Sequence, residues 1–285
     1  MEPYVWTLPA AAFLVLFVAF PVAFSVRLSL FNWSGETPIN AMTWTGLSNY
    51  RALPHDPIFR TALKNTVIFA LSTTAGITLL AFFLGFALWY RAPRWAGYAR
   101  TFILYPATLS GVIVAIAWAH LFAFDGLING LIGALTRSTP TILWLANVKW
   151  TFWVVVWVEI WWQVGVSVVL YLAAMGGISR DVLDRARVDG ATSFQLARRV
   201  AEPMIRPTSS LILLLNFING LQAFTIIYVL TGGGPVHSTE VVATYSYWLA
   251  FGLFGPSEFG YAAAATNIAV VILLVVSIWR VRGVR

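Results

Sequence analysis

The sequence predicts an all-α integral membrane protein with six transmembrane helices. Three observations predict it. Of 285 residues, 59% are apolar and only 10% are charged, against about 25% charged in a typical soluble domain. Six apolar stretches reach the roughly 20 residues that a helix needs to cross the hydrocarbon core. The basic residues are shared unequally between the two sets of connecting loops, as in spanning proteins generally.

The first stretch, residues 5–29, follows Met1-Glu2-Pro3-Tyr4. That leader has no basic side chain, and the apolar run is longer than a signal-peptide core, so we read it as a retained helix. The second and third spans cover residues 62–90 and 101–124. Residues 128–148 are also apolar, but Asn129, Arg137, Ser138, Thr139, Pro140 and Asn147 interrupt them. They predict an interfacial excursion. The remaining spans cover residues 152–175, 207–230 and 261–279.

Arg91, Arg94, Arg100, Arg180, Arg185, Arg187, Arg198, Arg199, Arg206, Arg280, Arg282 and Arg285 fall on one side of these spans. Arg27, Arg51, Arg60, Lys64, Arg137 and Lys149 fall on the other, where residues 231–260 hold no Lys or Arg at all. The richer side is assigned to the cytoplasm, which places both termini inside. The net charge of +7 reflects that bias. No basic tract interleaved with aromatics points to nucleic acid. Residues 1–285 read as one transmembrane domain, with residues 180–206 as a cytoplasmic loop inside it.

Several chemistries are excluded. Without cysteine there are no disulfides and no thiolate metal sites. The two lysines, Lys64 and Lys149, stand in Leu-Lys-Asn and Val-Lys-Trp, so neither is the lysine of a phosphate-binding loop. His55, His120 and His237 lack partners at metal-ligand spacing. No nucleophile, base and orienting group recur together, so an enzyme is disfavoured.

The loop over residues 180–206 holds ten charged residues. Burying them in lipid would cost roughly 30 kcal/mol, at about 3 kcal/mol each. The loop still carries folding signals. Asp181 with Arg185 and Asp184 with Arg187 are helix-supporting pairs. Gly190 suits a left-handed helix end, and Thr192 with Gln195 has capping-box spacing. Phe194, Ala197, Val200 and Ala201 then share one face, and Pro203 and Pro207 end the second helix. A solvated connector fits these features; so does a docking element whose apolar stripe lies on the bundle.

The run from Ile178 through Asp184-Arg185-Ala186 and Asp189-Gly190-Ala191 to Phe194, Gln195, Glu202 and Pro203 resembles the EAA loop of ABC importer permeases. Asp189, Gly190, Ala191, Phe194 and Pro203 match that pattern. Asp184-Arg185-Ala186 stands where the family has Glu-Ala-Ala, Ser179 replaces a proline, and Glu202 replaces a leucine. Leu230-Thr-Gly-Gly-Gly-Pro235, Thr239, Tyr245, Tyr247, Phe251 and Gly260-Tyr-Ala-Ala-Ala264 resemble carbohydrate-importer permeases of the maltose and glycerol-phosphate type. So do Gly46-Leu-Ser-Asn-Tyr50 and Asn65-Thr66.

The resemblance implies a type I ABC importer permease in the bacterial inner membrane, translocating a sugar by alternating access. It implies a homologous second permease, two ABC ATPase subunits and an extracytoplasmic solute-binding protein as partners. It implies no cofactor in this chain, ATP and Mg being bound by the ATPase. Asp184, Arg185, Ala186, Asp189, Gly190, Ala191 and Phe194 would then couple to that ATPase. Polyol, glycerol-phosphate or amino-acid substrates, and an ion-coupled secondary transporter, stand as alternatives.

Glu159 is the only acidic residue in a predicted span, and such groups normally face a bundle interior or water. Trp162, Gln163 and Val166 follow it at helical spacing. Asn216, Asn219, Gly220 and Ala223 do the same in the fifth span, with Gln222 beside them. Amides, a carboxylate and an aromatic face suit a sugar, and these nine residues are the expected substrate pathway. The competing reading is that they join helix to helix.

Overall fold

The computed structural model describes residues 2–91, 95–138, 142–252 and 255–282. Arg94, Arg285, Thr139 and Pro140, which entered the topology and excursion arguments, lie outside them. Almost all of the regular structure is helical: α1 (Glu2–Leu14), α2 (Phe20–Leu28), α3 (Ser48–Ala52), α4 (Pro57–Arg91), α5 (Ala96–Leu104), α6 (Gly111–Leu121) and α7 (Leu127–Thr136) come first. Then come α8 (Thr151–Gly176), α9 (Arg180–Val188), α10 (Ser193–Gln195), α11 (Glu202–Leu221), α12 (Thr225–Leu230), α13 (Val242–Ala250) and α14 (Phe259–Arg282). A two-stranded hairpin pairs Phe31 with Trp44 and Asn32 with Thr43, antiparallel. The chain divides into two units, residues 1–63 with 241–275, and residues 64–240 with 276–285.

In the first unit, a π-helical turn at Val15–Ala19 joins α1 to α2. The resulting helix is exposed around its circumference from Phe13 to Phe20. A helix apolar on every face has no side suited to water. Polar bonds fasten its C-terminal end. The Ser29 and Tyr50 hydroxyls lie 2.7 Å apart, and the Asn267 amide on α14 donates to both Tyr50 and the Ser25 carbonyl. Asp56 caps α4 by accepting from the Ile58 and Phe59 amides and also accepts from the Tyr245 hydroxyl at 2.6 Å. Leu53, Phe59, Val242, Tyr245, Ala264 and Ala265 form the core beneath.

In the second unit, α4 and α8 carry a core of Phe82, Phe86, Val168, Tyr171 and Met175. Leu196, Ala197, Ile205 and Ile212 complete it from the following segments. The expected second and fourth spans correspond to α4 and α8, and the expected excursion to short α7. There Asn129, only 4% exposed, donates to the Phe124 and Ile142 carbonyls and accepts from the Trp144 indole.

Two expected spans are discontinuous. Residues 101–124 bend by 98° between Ala96–Thr108 and Gly111–Leu121. Pro106, in the tight turn that closes the first piece, has no amide to continue the ladder, and Leu109 and Ser110 are extended. Residues 207–230 break after Leu221, where Phe224 leaves helical backbone before α12 begins.

The expectation that Pro203 and Pro207 end the second loop helix is corrected. The chain runs helically through both prolines, from a π-helical stretch, Leu196–Ala201, into α11. A widened π turn opens the ladder just before Pro203, where its ring and missing donor would otherwise collide with an α-helical bond. The predicted apolar face also shifts. Phe194 is 58% exposed, while Leu196 is fully buried beside Ala197 and Ala201.

Candidate functional site

Within the second unit, α8 brings Glu159, Trp162 and Gln163 to one side of a cavity of about 260 Å³. Asn219, Gln222 and Ala223 line the other side, with Phe224, Thr225 and Ile226. Both helix breaks serve this site. The break before α6 frees the Leu109 carbonyl, which accepts from the Trp162 indole at 3.2 Å. Gly111 stands against the same indole, where a Cβ would come within 2.7 Å of the ring. The break after α11 turns Gln222 and Phe224 into the cavity, and Phe224 stacks on Tyr228 at 5.0 Å.

Glu159 is 7% exposed. Around it stand three side-chain amides, an indole and a threonine. The cavity can therefore hydrogen-bond hydroxyl groups and offer an aromatic face, but it supplies no cation to an anionic solute.

Three expected pathway residues lie elsewhere. Asn216 is buried and polar-bonded to its neighbours, accepting from Ser167 at 3.2 Å and donating to Thr78 at 3.3 Å. Gly220 packs on α4, where a Cβ would stand 2.8 Å from the Ala70 Cα. Val166 is 46% exposed and does not line the cavity. One-turn spacing put these on the path, but Asn216 and Gly220 meet α4 at Thr78 and Ala70, which takes that face of α11 away from the cavity. Phe224, Thr225 and Ile226 escaped sequence reasoning because no glycine or proline marks the turn before them.

The charged loop follows its local signals at Gly190 and Thr192, though not at Pro203 and Pro207. Gly190 is left-handed at φ +79°, and the Ala191 amide reaches back to the Ala186 carbonyl at 3.0 Å, closing a glycine-ended helix. Thr192 and Gln195 bond reciprocally, at 3.3 and 2.8 Å. Arg187 pairs with Asp184 at 2.8 Å, whereas among the described residues Asp181 and Arg185 close no ion pair.

Leu183 is buried, and Ala186 and Ala191 pack against the core. Asp184, Arg185, Asp189, Gly190 and Phe194 face outward. Asp181, Asp184, Arg185, Val188 and Asp189 line an open surface depression of about 400 Å³. Arg187 also spans to α4. Its Nε donates to the Tyr90 hydroxyl at 3.1 Å, and its guanidinium carbon lies 4.6 Å from the Tyr90 ring centre. Phe194 stacks on Phe83 at 6.1 Å.

An apolar helical scaffold, a polar cavity inside it and a charged folded handle at its edge together define a membrane transport component rather than an enzyme. The chain belongs to the family of binding-protein-dependent transport system inner membrane components, which its residues 77–282 match. It is 31% identical to the probable ABC transporter permease protein YurN of Bacillus subtilis, over 98% of this chain and 94% of that protein. It is 30% identical to the lactose transport system permease protein LacF of Rhizobium radiobacter, over 96% and 91% respectively. The fold matches a solved chain of a bacterial ABC transporter involved in importing the acidic polysaccharide alginate. That match has a TM-score of 0.81 and 23% identity, and covers 99% of this chain and 94% of the other. The chain thus has the type I importer permease fold and is a component of the inner membrane.

Proposed function

We propose that this chain forms half of the translocation pathway of an ATP-driven sugar importer, with the Glu159 cavity as its substrate site. The observation that carries this reading is the convergence of Glu159, Trp162, Gln163, Asn219 and Gln222 on one cavity within otherwise apolar helices. Sugar hydroxyls want hydrogen bonds and the sugar ring wants a flat apolar surface. Lactose transport by one relative supports the same class. The absence of a basic residue among the lining side chains disfavours a phosphate ester.

In this reading a homologous second permease completes the path, and a binding protein delivers sugar from outside. Two separate ATPase subunits hold ATP and Mg. They grip the outward-facing residues of the loop, Asp184, Arg185, Asp189, Gly190 and Phe194, on the cytoplasmic side. Closure of the ATPase pair draws the loop inward and reopens the cavity outward. Both chain termini lie in the cytoplasm.

The test is ATP hydrolysis by the purified assembly in lipid. Sugar-loaded binding protein should raise the rate in wild type and much less in Glu159→Ala, with assembly unchanged. Equal stimulation of the two would remove Glu159 from the substrate site.

A further inference from the structure

A second cavity, of about 420 Å³, lies between α4, α8, the N-terminal half of α11 and the π-helical turn before it. None of the side chains around Glu159 lines it. Its two ends differ sharply. At one end stand Arg198, Glu202 and Arg206, spaced by one helical turn each. At the other, Leu79, Phe83 and Leu213 form the wall, and they are 60%, 42% and 41% exposed. Ser210 lies between them on α11. Arg206 and Leu213 are seven residues apart, which is about 10 Å along the helix axis. The cavity therefore passes from a charged rim to an exposed apolar wall over the distance separating a lipid phosphate from the start of its chains.

Although Glu202 stands four residues from each arginine, neither guanidinium closes an ion pair among the described residues. Two cations against one carboxylate leave the rim net positive. Basic pockets between transmembrane helices recognise anionic headgroups, and a guanidinium presents a planar fork suited to phosphate oxygens.

We propose that this cavity binds one anionic phospholipid. Its phosphate sits between Arg198 and Arg206, and an acyl chain follows Leu79, Phe83 and Leu213. The inference rests on the membrane setting of the family and not on the sugar assignment, so either can fail without the other.

The experiment is native mass spectrometry of the intact importer titrated with phosphatidylglycerol, phosphatidylcholine or inorganic phosphate. One phosphatidylglycerol should remain bound, and the Arg198→Ala/Arg206→Ala variant should weaken it about tenfold or more. Glu202→Gln should strengthen it, a gain that misfolding would not produce. Ser210→Trp should expel the lipid by filling the cavity with all charges intact. Equal retention of phosphatidylcholine, displacement by inorganic phosphate, or unchanged binding in Glu202→Gln would each overturn the assignment.

Discussion

At the scale of single residues, Glu159 and Gly190 carry the most specific expectations. Glu159 is 7% exposed in the middle of α8. Beyond the hydrolysis test, sugar uptake by Glu159→Gln should fall less than uptake by Glu159→Ala, because an amide keeps hydrogen-bonding oxygen and size. Equal losses would point to a requirement for charge instead. Gly190 holds a left-handed φ of +79° with open space beyond it. A side chain there costs roughly 1–2 kcal/mol of backbone strain and adds bulk at the tip of the handle. Gly190→Asp should leave membrane insertion intact while sugar uptake collapses. Wild-type uptake would remove the tip from coupling.

Arg187 and Tyr90 form a contact with consequences beyond stability. As an exposed pair, screened by solvent, it adds little to stability, so neither Arg187→Ala nor Tyr90→Ala should change the melting temperature by more than a few degrees. If the handle moves α4 through this contact, each variant should hydrolyse ATP with weakened transport. The double variant should be no worse than either single one, since both remove one link. Additive losses in uptake would show that they act separately.

At the scale of elements, the short charged loop was the most legible part of the chain. Gly190, Thr192 and Gln195 act on neighbours a few residues away, so their local chemistry decides the backbone. The two broken helices were less legible. Pro106 stands at one of them, but hydropathy runs unbroken from residue 101 to 124 and conceals the 98° bend. The break after Leu221 has no proline or glycine at the turn itself. The site followed the same division. Spacing on α8 placed Glu159, Trp162 and Gln163 on one face, and they line one cavity, whereas Asn216 and Gly220 face α4, a neighbour that periodicity on one helix cannot supply.

The loop after α12 gives a further elemental prediction. Gly232 and Gly233 take left-handed backbone there. The Asn65 amide on α4 donates to the Ser238 and Glu240 carbonyls at 3.1 and 3.0 Å. Asn65→Ala leaves those part-buried acceptors without that donor, a loss of about 1–3 kcal/mol. Limited proteolysis should then cut the residues after Pro235 faster than in wild type. Unchanged protection would show that the turn holds its own shape.

At the scale of the whole molecule, the proposed mechanism joins a polar cavity to a charged handle across one membrane. The apolar composition and the matched family fix the setting. Sidedness rests on the distribution of arginine, and every step of the coupling argument depends on it, because ATP is available only on the inside. The absence of cysteine makes this directly measurable. Val188 at the handle and Val236 in the loop after α12 are 88% and 85% exposed, so a single cysteine at either will be the only thiol in the chain. Intact cells carrying Val188→Cys or Val236→Cys would be treated with a membrane-impermeant maleimide. The account predicts labelling at position 236 in intact cells and at position 188 only after permeabilisation; labelling of position 188 in intact cells would contradict it.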